Sequence, residues 1–408
     1  MIALSRRGFM RLGGALAGTA LVMGPWQQAL AAAFEAPGPF GPLLPPDANG
    51  IQLPAGFRSR VIARAREIVP GTSHEWHLFP DGGATFPMRD KGWVYVSNSE
   101  FFITGGVGAL RFDREGEVID AYPICDGSFQ NCAGGPTPWG TWLTCEELAN
   151  GTVFECDPSG RLDSQRRLGL GTFKHEAAAV DPRTGIVYLT EDEGNGGFYR
   201  FVPNAWANLS SGRLEVAEVS ARGEVRWHPV PEPNPDLPRD TPTRFQVPES
   251  TTFAGGEGIV YSRRHVYFTT KGDNRVWDYV PSQERLRVLY DHGATPELPL
   301  RGVDNITASR TGELIVAEDG GNMELVMMTR ALEVAPILRV VGQDRSELAG
   351  PAFDPMERRL YVSSQRGGPT GTGITYEIEG PFHKSRGRGS RGRHRRVAHG
   401  GAAGKGRR

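Results

Sequence analysis

The chain has 408 residues, 54 Gly, 31 Pro and 9% aromatics, a turn-rich composition that excludes a low-complexity chain and suits a large all-β domain with many hairpins. Of the 46 Lys and Arg, 3 lie in residues 1–33 and 10 in residues 383–408, so residues 34–382 set 33 bases against all 47 acids and carry a formal −14 behind the whole-chain value of −1. An acidic body of this kind argues against nucleic acid as a partner and is compatible with hard cations.

The first element is a targeting segment. Ser5-Arg6-Arg7-Gly8-Phe9-Met10-Arg11 reads as a twin-arginine motif, followed by an apolar stretch from Leu12 to Met23 and a small-residue region around "ALAAA" at 29–33. The apolar stretch is too short for a comfortable membrane span. Residues 1–33 are therefore taken as a signal peptide for the twin-arginine export machinery, which carries folded proteins to a periplasmic or extracellular location. Such cargo is often folded around a cofactor, so the signal favours a metal site.

Six β-type runs then recur along the body: "GWVYVSNSE" (92–100), "GTWLTCEE" (140–147), "GIVYLTEDE" (185–193), "HVYFTTKGD" (265–273), "GELIVAEDG" (312–320) and "RLYVSSQRG" (359–367). Aligned on their small residues Ser97, Thr144, Thr190, Thr269, Ala317 and Ser363, they are spaced by 47, 46, 79, 48 and 46 residues. Each is followed by a second alternating run, such as "VFECD" or "VWDYV", and preceded by a small-or-acidic segment, such as "DGGAT", "NCAGG" or "GGEGI". A repeat of this length with several antiparallel strands is a propeller blade. The prediction is a single six-bladed β-propeller over 34–382, with a proline-rich insertion loop at 228–248 accounting for the long interval. Two β-sandwich domains would not produce such even spacing. Residues 383–408, rich in Gly and Arg, have too few apolar residues to pack and read as a disordered tail. It is either a solvated end or an electrostatic docking segment.

In a propeller the innermost strands line a central channel. The segment before each run is the candidate inner strand, carrying Asn131, Glu176, Glu257, Asp304 with Asn305, and Glu347. The ends of the next strands add Cys145, Glu146, Glu147, Glu191, Asp192, Asp273, Glu318 and Asp319. Strand alternation allows either His175 or Glu176 to face inward, and Glu176 is taken. Gathered at one axis, unpaired acids repel unless a cation neutralises them, so the set favours metal over the competing reading of separate turn caps. Oxygen ligands suit Ca²⁺, and a thiolate at Cys145 suits a softer iron or zinc centre. Of the remaining cysteines, Cys125 and Cys132 are close enough in sequence to pair, and Cys156 alternates as a buried strand residue.

These pieces resemble the PhoX-type alkaline phosphatases, exported propeller enzymes that hydrolyse phosphate monoesters with an iron–calcium cluster. "NCAGGPTPWGTWLTCEE", "GTFKHEAAAVDPRTGIVYLTEDE", "EGIVYSRRHVYFTTKGDNRVWDYV", "VDNITASRTGELIVAEDGGN" and "ELAGPAFDPMERRLYVSSQRGGPTGTGITYEIEGPF" occur in the family's order over most of residues 70–382. The resemblance implies Cys145 as the thiolate ligand of Fe³⁺, Glu176 and Glu257 as cluster carboxylates, and Glu318 and Asp304 completing Ca²⁺ ligation. It also implies an arginine two positions before the cluster glutamate as the phosphate grip. Here Gly255 occupies that place, with Arg366 and Lys271 as candidate basic replacements or plain salt-bridge partners. The expected protein is a short, divergent, monomeric member acting on small-molecule phosphate esters. The alternatives are a lactonase-like or redox enzyme on the same scaffold, or a non-catalytic propeller binding an envelope partner.

Overall fold

A computed structural model of the chain describes residues 38–382, so the signal segment and the basic tail lie outside the described residues. Strand β1 (Ile51–Gln52) and strand β2 (Arg58–Arg64) come first, and six sheets follow in a ring. Blade 1 is β3 (Pro80–Pro87), β4 (Trp93–Ser99), β5 (Val107–Phe112) and β6 (Val118–Cys125). Blade 2 is β7 (Asn131–Pro136), β8 (Trp142–Glu146), β9 (Val153–Cys156) and β10 (Gln165–Arg166). Blade 3 has five strands: β11 (His175–Val180), β12 (Val187–Glu191), β13 (Phe198–Pro203), β14 (Gly212–Val219) and β15 (Val225–Pro229). Blade 4 is β16 (Gly256–Ser262), β17 (His265–Thr270), β18 (Arg275–Val280) and β19 (Arg285–Asp291). Blade 5 is β20 (Val303–Ala308), β21 (Leu314–Glu318), β22 (Glu324–Met328) and β23 (Val334–Val340), with β1 on its outer edge. Blade 6 is β24 (Leu348–Phe353), β25 (Arg359–Ser364) and β26 (Ile374–Glu379), completed by β2 from the other end of the described chain.

All strand pairs are antiparallel, and the architecture is the six-bladed propeller expected from the repeat. The inner strands β3, β7, β11, β16, β20 and β24 pack side by side, and β24 returns to β3 to close the ring. The long repeat interval belongs to blade 3, which carries the extra strand β15 and then residues 230–248, so the first two residues of the expected loop are strand. There Thr172 N–H donates to Pro233 O at 2.8 Å, and Arg244 reaches Glu191 at 2.9 Å.

The strands exist because their side chains alternate between two blade interfaces. Six apolar clusters result, one in each gap between neighbouring blades. Leu143, Cys145 and Val153 of blade 2 meet Leu189, Tyr199 and Val216 of blade 3, while Phe198 of blade 3 stacks on Phe268 of blade 4 at 4.6 Å. Burying one such ring stabilises by about 1.5–3 kcal/mol, so the gaps hold the ring together and leave the channel mouth free for polar groups. Among the described residues no helix is long and apolar enough to cross a membrane.

Candidate metal centre

Every inner strand has the same irregularity at its mouth end. Pairing with the second strand slips between Pro80 and Gly83, Asn131 and Gly134, His175 and Ala178, Gly256 and Ile259, Val303 and Ile306, and Ala349 and Ala352. A bulge of this kind re-aims the side chain where it starts. The residue after the first strand position is Asp81, Cys132, Glu176, Glu257, Asp304 and Ala349 in turn. Five blades thus present a ligand-capable group at one level, and Glu347 enters where the sixth has alanine. A second tier comes from the residue following each second strand: Glu100, Glu147, Asp192, Lys271, Asp319 and Gln365.

The two tiers interlock. Ligand atoms of Asp81, Glu100 and Cys132, of Cys132, Glu147 and Glu176, of Glu176, Glu257 and Asp304, and of Asp304, Asp319 and Glu347 lie within 4.8 Å of one another in each trio. That chain of trios holds eight carboxylates and one thiol. Three cations face these carboxylates among the described residues. Lys174 Nζ is 2.8 Å from both Glu147 and Asp192. Lys271 Nζ is 3.0 Å from Glu257, 3.4 Å from Asp319 and 3.9 Å from Asp304. Arg366 reaches Glu347 at 3.1 Å and Glu100 at 3.4 Å.

Burial, and then the neighbouring acids, hold the carboxyl groups of Asp81, Glu176, Glu257 and Glu347 well above the ordinary range. Burial lifts Glu100 to about 7, helped by Glu147, and lifts Asp304 to about 6 against the pull of Lys271. Burial opposes charge on Asp192 too, but its contacts with Lys174 keep it below the usual value. Burial also opposes the charge of Lys271, but Asp304 and Glu257 hold its ammonium well above the ordinary lysine range.

The donor set fits metal ions. Glu257 Oε1 is buried without an aligned hydrogen bond from any described residue, despite the nearby Lys271 ammonium. Cys132 Sγ stands 3.2 Å from Glu176 Oε1, so thiol and carboxylate point at the same space. Mutually repelling, desolvated carboxylates that a cation would neutralise are the expected chemistry of such a site.

Glu176, Glu257, Asp304 and Lys271 come together here, and Arg366 joins them at the rim. His175 turns the other way, stacking on Phe173 at 3.6 Å with its Nε2 3.1 Å from Gly171 O. Two residues expected at the centre lie elsewhere. Cys145 is fully buried in the apolar gap between blades 2 and 3, where burial and then Glu146 push its thiol pKa far up. The thiol facing the acids is Cys132. Glu318 accepts the backbone N–H groups of Arg301 at 2.8 Å and Glu324 at 3.1 Å, so it fastens the strand end while Asp319 turns to the mouth. Glu146 and Glu191 act alike, accepting from Thr152 N–H at 3.0 Å and Gly197 N–H at 2.8 Å. Cys125 does not pair with Cys132; it adjoins Cys156 and Ser128, and all four cysteines are free thiols.

Gly255 is in the left-handed region at φ 69°, and a Cβ there would stand 3.2 Å from Asp192 Oδ1. A side chain is strained at this position, and the local cation is supplied by Lys271, whose backbone N–H donates to Gly255 O at 2.9 Å.

A protein-family model described as alkaline phosphatase PhoX matches residues 94–153 and 149–368. The chain belongs to the PhoX alkaline phosphatase family. Its fold is shared with PhoX of Pseudomonas fluorescens, solved in complex with vanadate, a transition state analogue: 17% identity and a TM-score of 0.67, over 83% of this chain and 97% of that one. A protein of unknown function from Bacteroides thetaiotaomicron is similar at 10% identity and a TM-score of 0.50, over 79% and 76% of the two chains. A gluconolactonase from Xanthomonas campestris is similar at 12% identity and a TM-score of 0.49, over 84% and 99%. Among curated protein sequences none matches this chain. The PhoX match spans five of the six aligned runs and all three cations of the mouth.

Proposed function

We propose that this PhoX-family chain is an exported, metal-dependent hydrolase of small-molecule phosphate esters, working in the periplasm or outside the cell. The observation that carries the reading is the trio Glu176, Glu257 and Asp304, three buried carboxylates within 4.8 Å of one another on consecutive blades. Carboxylate oxygens suit Ca²⁺, and the Cys132 thiolate suits Fe³⁺; a thiol within the ring disfavours a calcium-only, lactonase-like centre. Bound there, the ions would polarise the phosphoryl oxygens and offset the charge of the transferring group.

The chain's own cations do the rest. Lys271, held between Glu257 and Asp319, is placed to bind a phosphoryl oxygen once metal takes over the carboxylates. Its ammonium takes the role for which Gly255 has no side chain. Arg366, half-exposed two blades further round the ring, offers two parallel N–H donors to the same group. Both stabilise the charge that grows on the phosphoryl oxygens.

The test is elemental analysis together with phosphomonoesterase and phosphodiesterase turnover of protein loaded with iron and calcium. Turnover should fall at least 100-fold in Glu257→Gln, with loss of bound metal, and about 100-fold in Lys271→Met with metal retained. Metal-loaded protein that hydrolyses neither ester class would refute the reading.

A further inference from the structure

We propose that the mouth also carries a receptor for the organic part of the ester, an apolar wall of Phe79, Phe101, Phe102, Ile103 and Phe129 that selects aryl and bulky alkyl phosphates over polyol phosphates. The inference rests on the hydrolase reading and deepens it by naming the substrate class. Phe102, Ile103 and Phe129 are 67%, 56% and 45% exposed. They stand on two loops that touch, Gln130 N–H donating to Phe101 O at 3.2 Å. The rings run on from one another, with Phe79 and Phe101 at 5.7 Å and Phe101 and Phe102 at 5.1 Å. Scattered exposed apolar residues are ordinary, whereas a contiguous patch marks a binding surface.

The wall begins at the candidate centre. Glu100 of the first trio directly precedes Phe101, and Glu147 N–H donates to Gln130 O at 3.0 Å. The Arg366 guanidinium, bound to Glu100 and Glu347, lies 5.6 Å from the Phe79 ring centroid. A phosphoryl group held by Arg366 would thus place its ester substituent against aromatic faces. The backbone supports the same reading. Phe79 and Gln130, each one residue before an inner strand, are non-glycine residues at φ 46° and 44°. Such strain persists where the surroundings require it, most often at functional sites. The acids beside the wall, Glu100, Glu147 and Asp126, oppose an anionic membrane surface as the occupant.

The experiment uses metal-loaded full chain and compares kcat/KM for 2-naphthyl phosphate and glycerol phosphate. In the double variant Phe102→Ala/Ile103→Ala the naphthyl-to-glycerol ratio should fall about tenfold, chiefly through KM for the aryl ester, and Phe129→Ala should lower it in the same sense. An unchanged ratio overturns the wall. Calorimetric binding of phenylphosphonate and methylphosphonate separates this inference from the reading beneath it, because neither is turned over. A phenyl preference lost in the double variant supports the wall even where no ester is hydrolysed, and hydrolysis without that preference overturns the wall alone. Binding to phosphatidylcholine vesicles that the double variant abolishes, with the ester ratio unchanged, overturns it in favour of a membrane.

Discussion

Cys132 and Cys145 lie on paired strands of one blade and face opposite chemistries. Cys132 looks at Glu176, while Cys145 packs into the apolar gap between blades 2 and 3. Cys132→Ser should therefore lower bound iron, read by elemental analysis, with little change in the unfolding midpoint of the metal-free protein. Cys145→Ser buries an unpartnered hydroxyl and should cost about 1–3 kcal/mol in chemical denaturation, with metal content intact. His77 makes a second residue-scale case. Its Nε2 meets Ser97 Oγ at 3.2 Å, its Nδ1 has no hydrogen-bond partner among the described residues, and burial, then His74, depress its pKa to about 3. An unfolded histidine titrates near 6.5, so below that pH the unfolded chain takes up a proton that the folded chain refuses. Stability should fall as pH drops from about 6.5 toward 3, by up to about 1.4 kcal/mol per unit, and be insensitive to this group above about 7. His77→Gln should flatten that slope in pH-dependent urea unfolding; parallel slopes in the two proteins would refute the assignment.

At the scale of elements, the repeated bulge makes the site, and it explains what could be read from sequence. Even spacing and alternation sufficed for six blades, because those patterns follow from burial on two faces. The ligand level was harder, because alignment on small residues set Thr144 against Thr190 and Ala317. In the structure Cys145 pairs with Val153 as Thr190 pairs with Phe198 and Ala317 with Leu325. A one-residue slip exchanges the two faces of a strand, so that alignment set Cys145 level with Glu191 and Glu318, where the structure has Glu146, and Asn131 level with Glu176 and Glu257, where it has Cys132. The acid doublets Glu146-Glu147, Glu191-Asp192 and Glu318-Asp319 were the better ruler, the first member binding backbone and the second facing the mouth. Asp81 and Glu100 carried no signal of their own in short acidic segments. The bulges also bring inner strands very close. A Cβ on Gly258 would lie 2.6 Å from Ile306 N and 2.7 Å from Asn305 Cα, so Gly258→Ala should destabilise by about 1–3 kcal/mol through forced backbone movement. Reduced metal affinity should accompany it, since Glu257 is the adjacent residue.

At the scale of the whole ring, eight carboxylates against three cations at one mouth among the described residues make it a site of stored repulsion. Ions that bind only the folded ring stabilise it by mass action. Chelation should lower the thermal midpoint by roughly 5 °C in calorimetry, and restored calcium and iron should return it. In Glu257→Gln the chelator should have a smaller effect. Closure of the ring is the other global feature. Strand β2 pairs along β26 from Arg58 opposite Glu379 to Arg64 opposite Ile374, and Ile62 and Ala63 pack into the gap between blades 6 and 1.

That seam sets an order of events during synthesis. Strand β2 leaves the ribosome before any of the six inner strands, yet its partner β26 follows the last of them, so it must wait until all six blades have been made. Gln365 joins Asp81 at 2.5 Å and Glu100 at 2.6 Å across the same seam, and Glu347 reaches the trios only from blade 6. A ribosome-stalled or C-terminally clipped chain would hold an incomplete ligand set beside an open sheet edge. Metal occupancy would then act as a certificate of closure, acquired only by chains in which all six blades are present and the ring has shut.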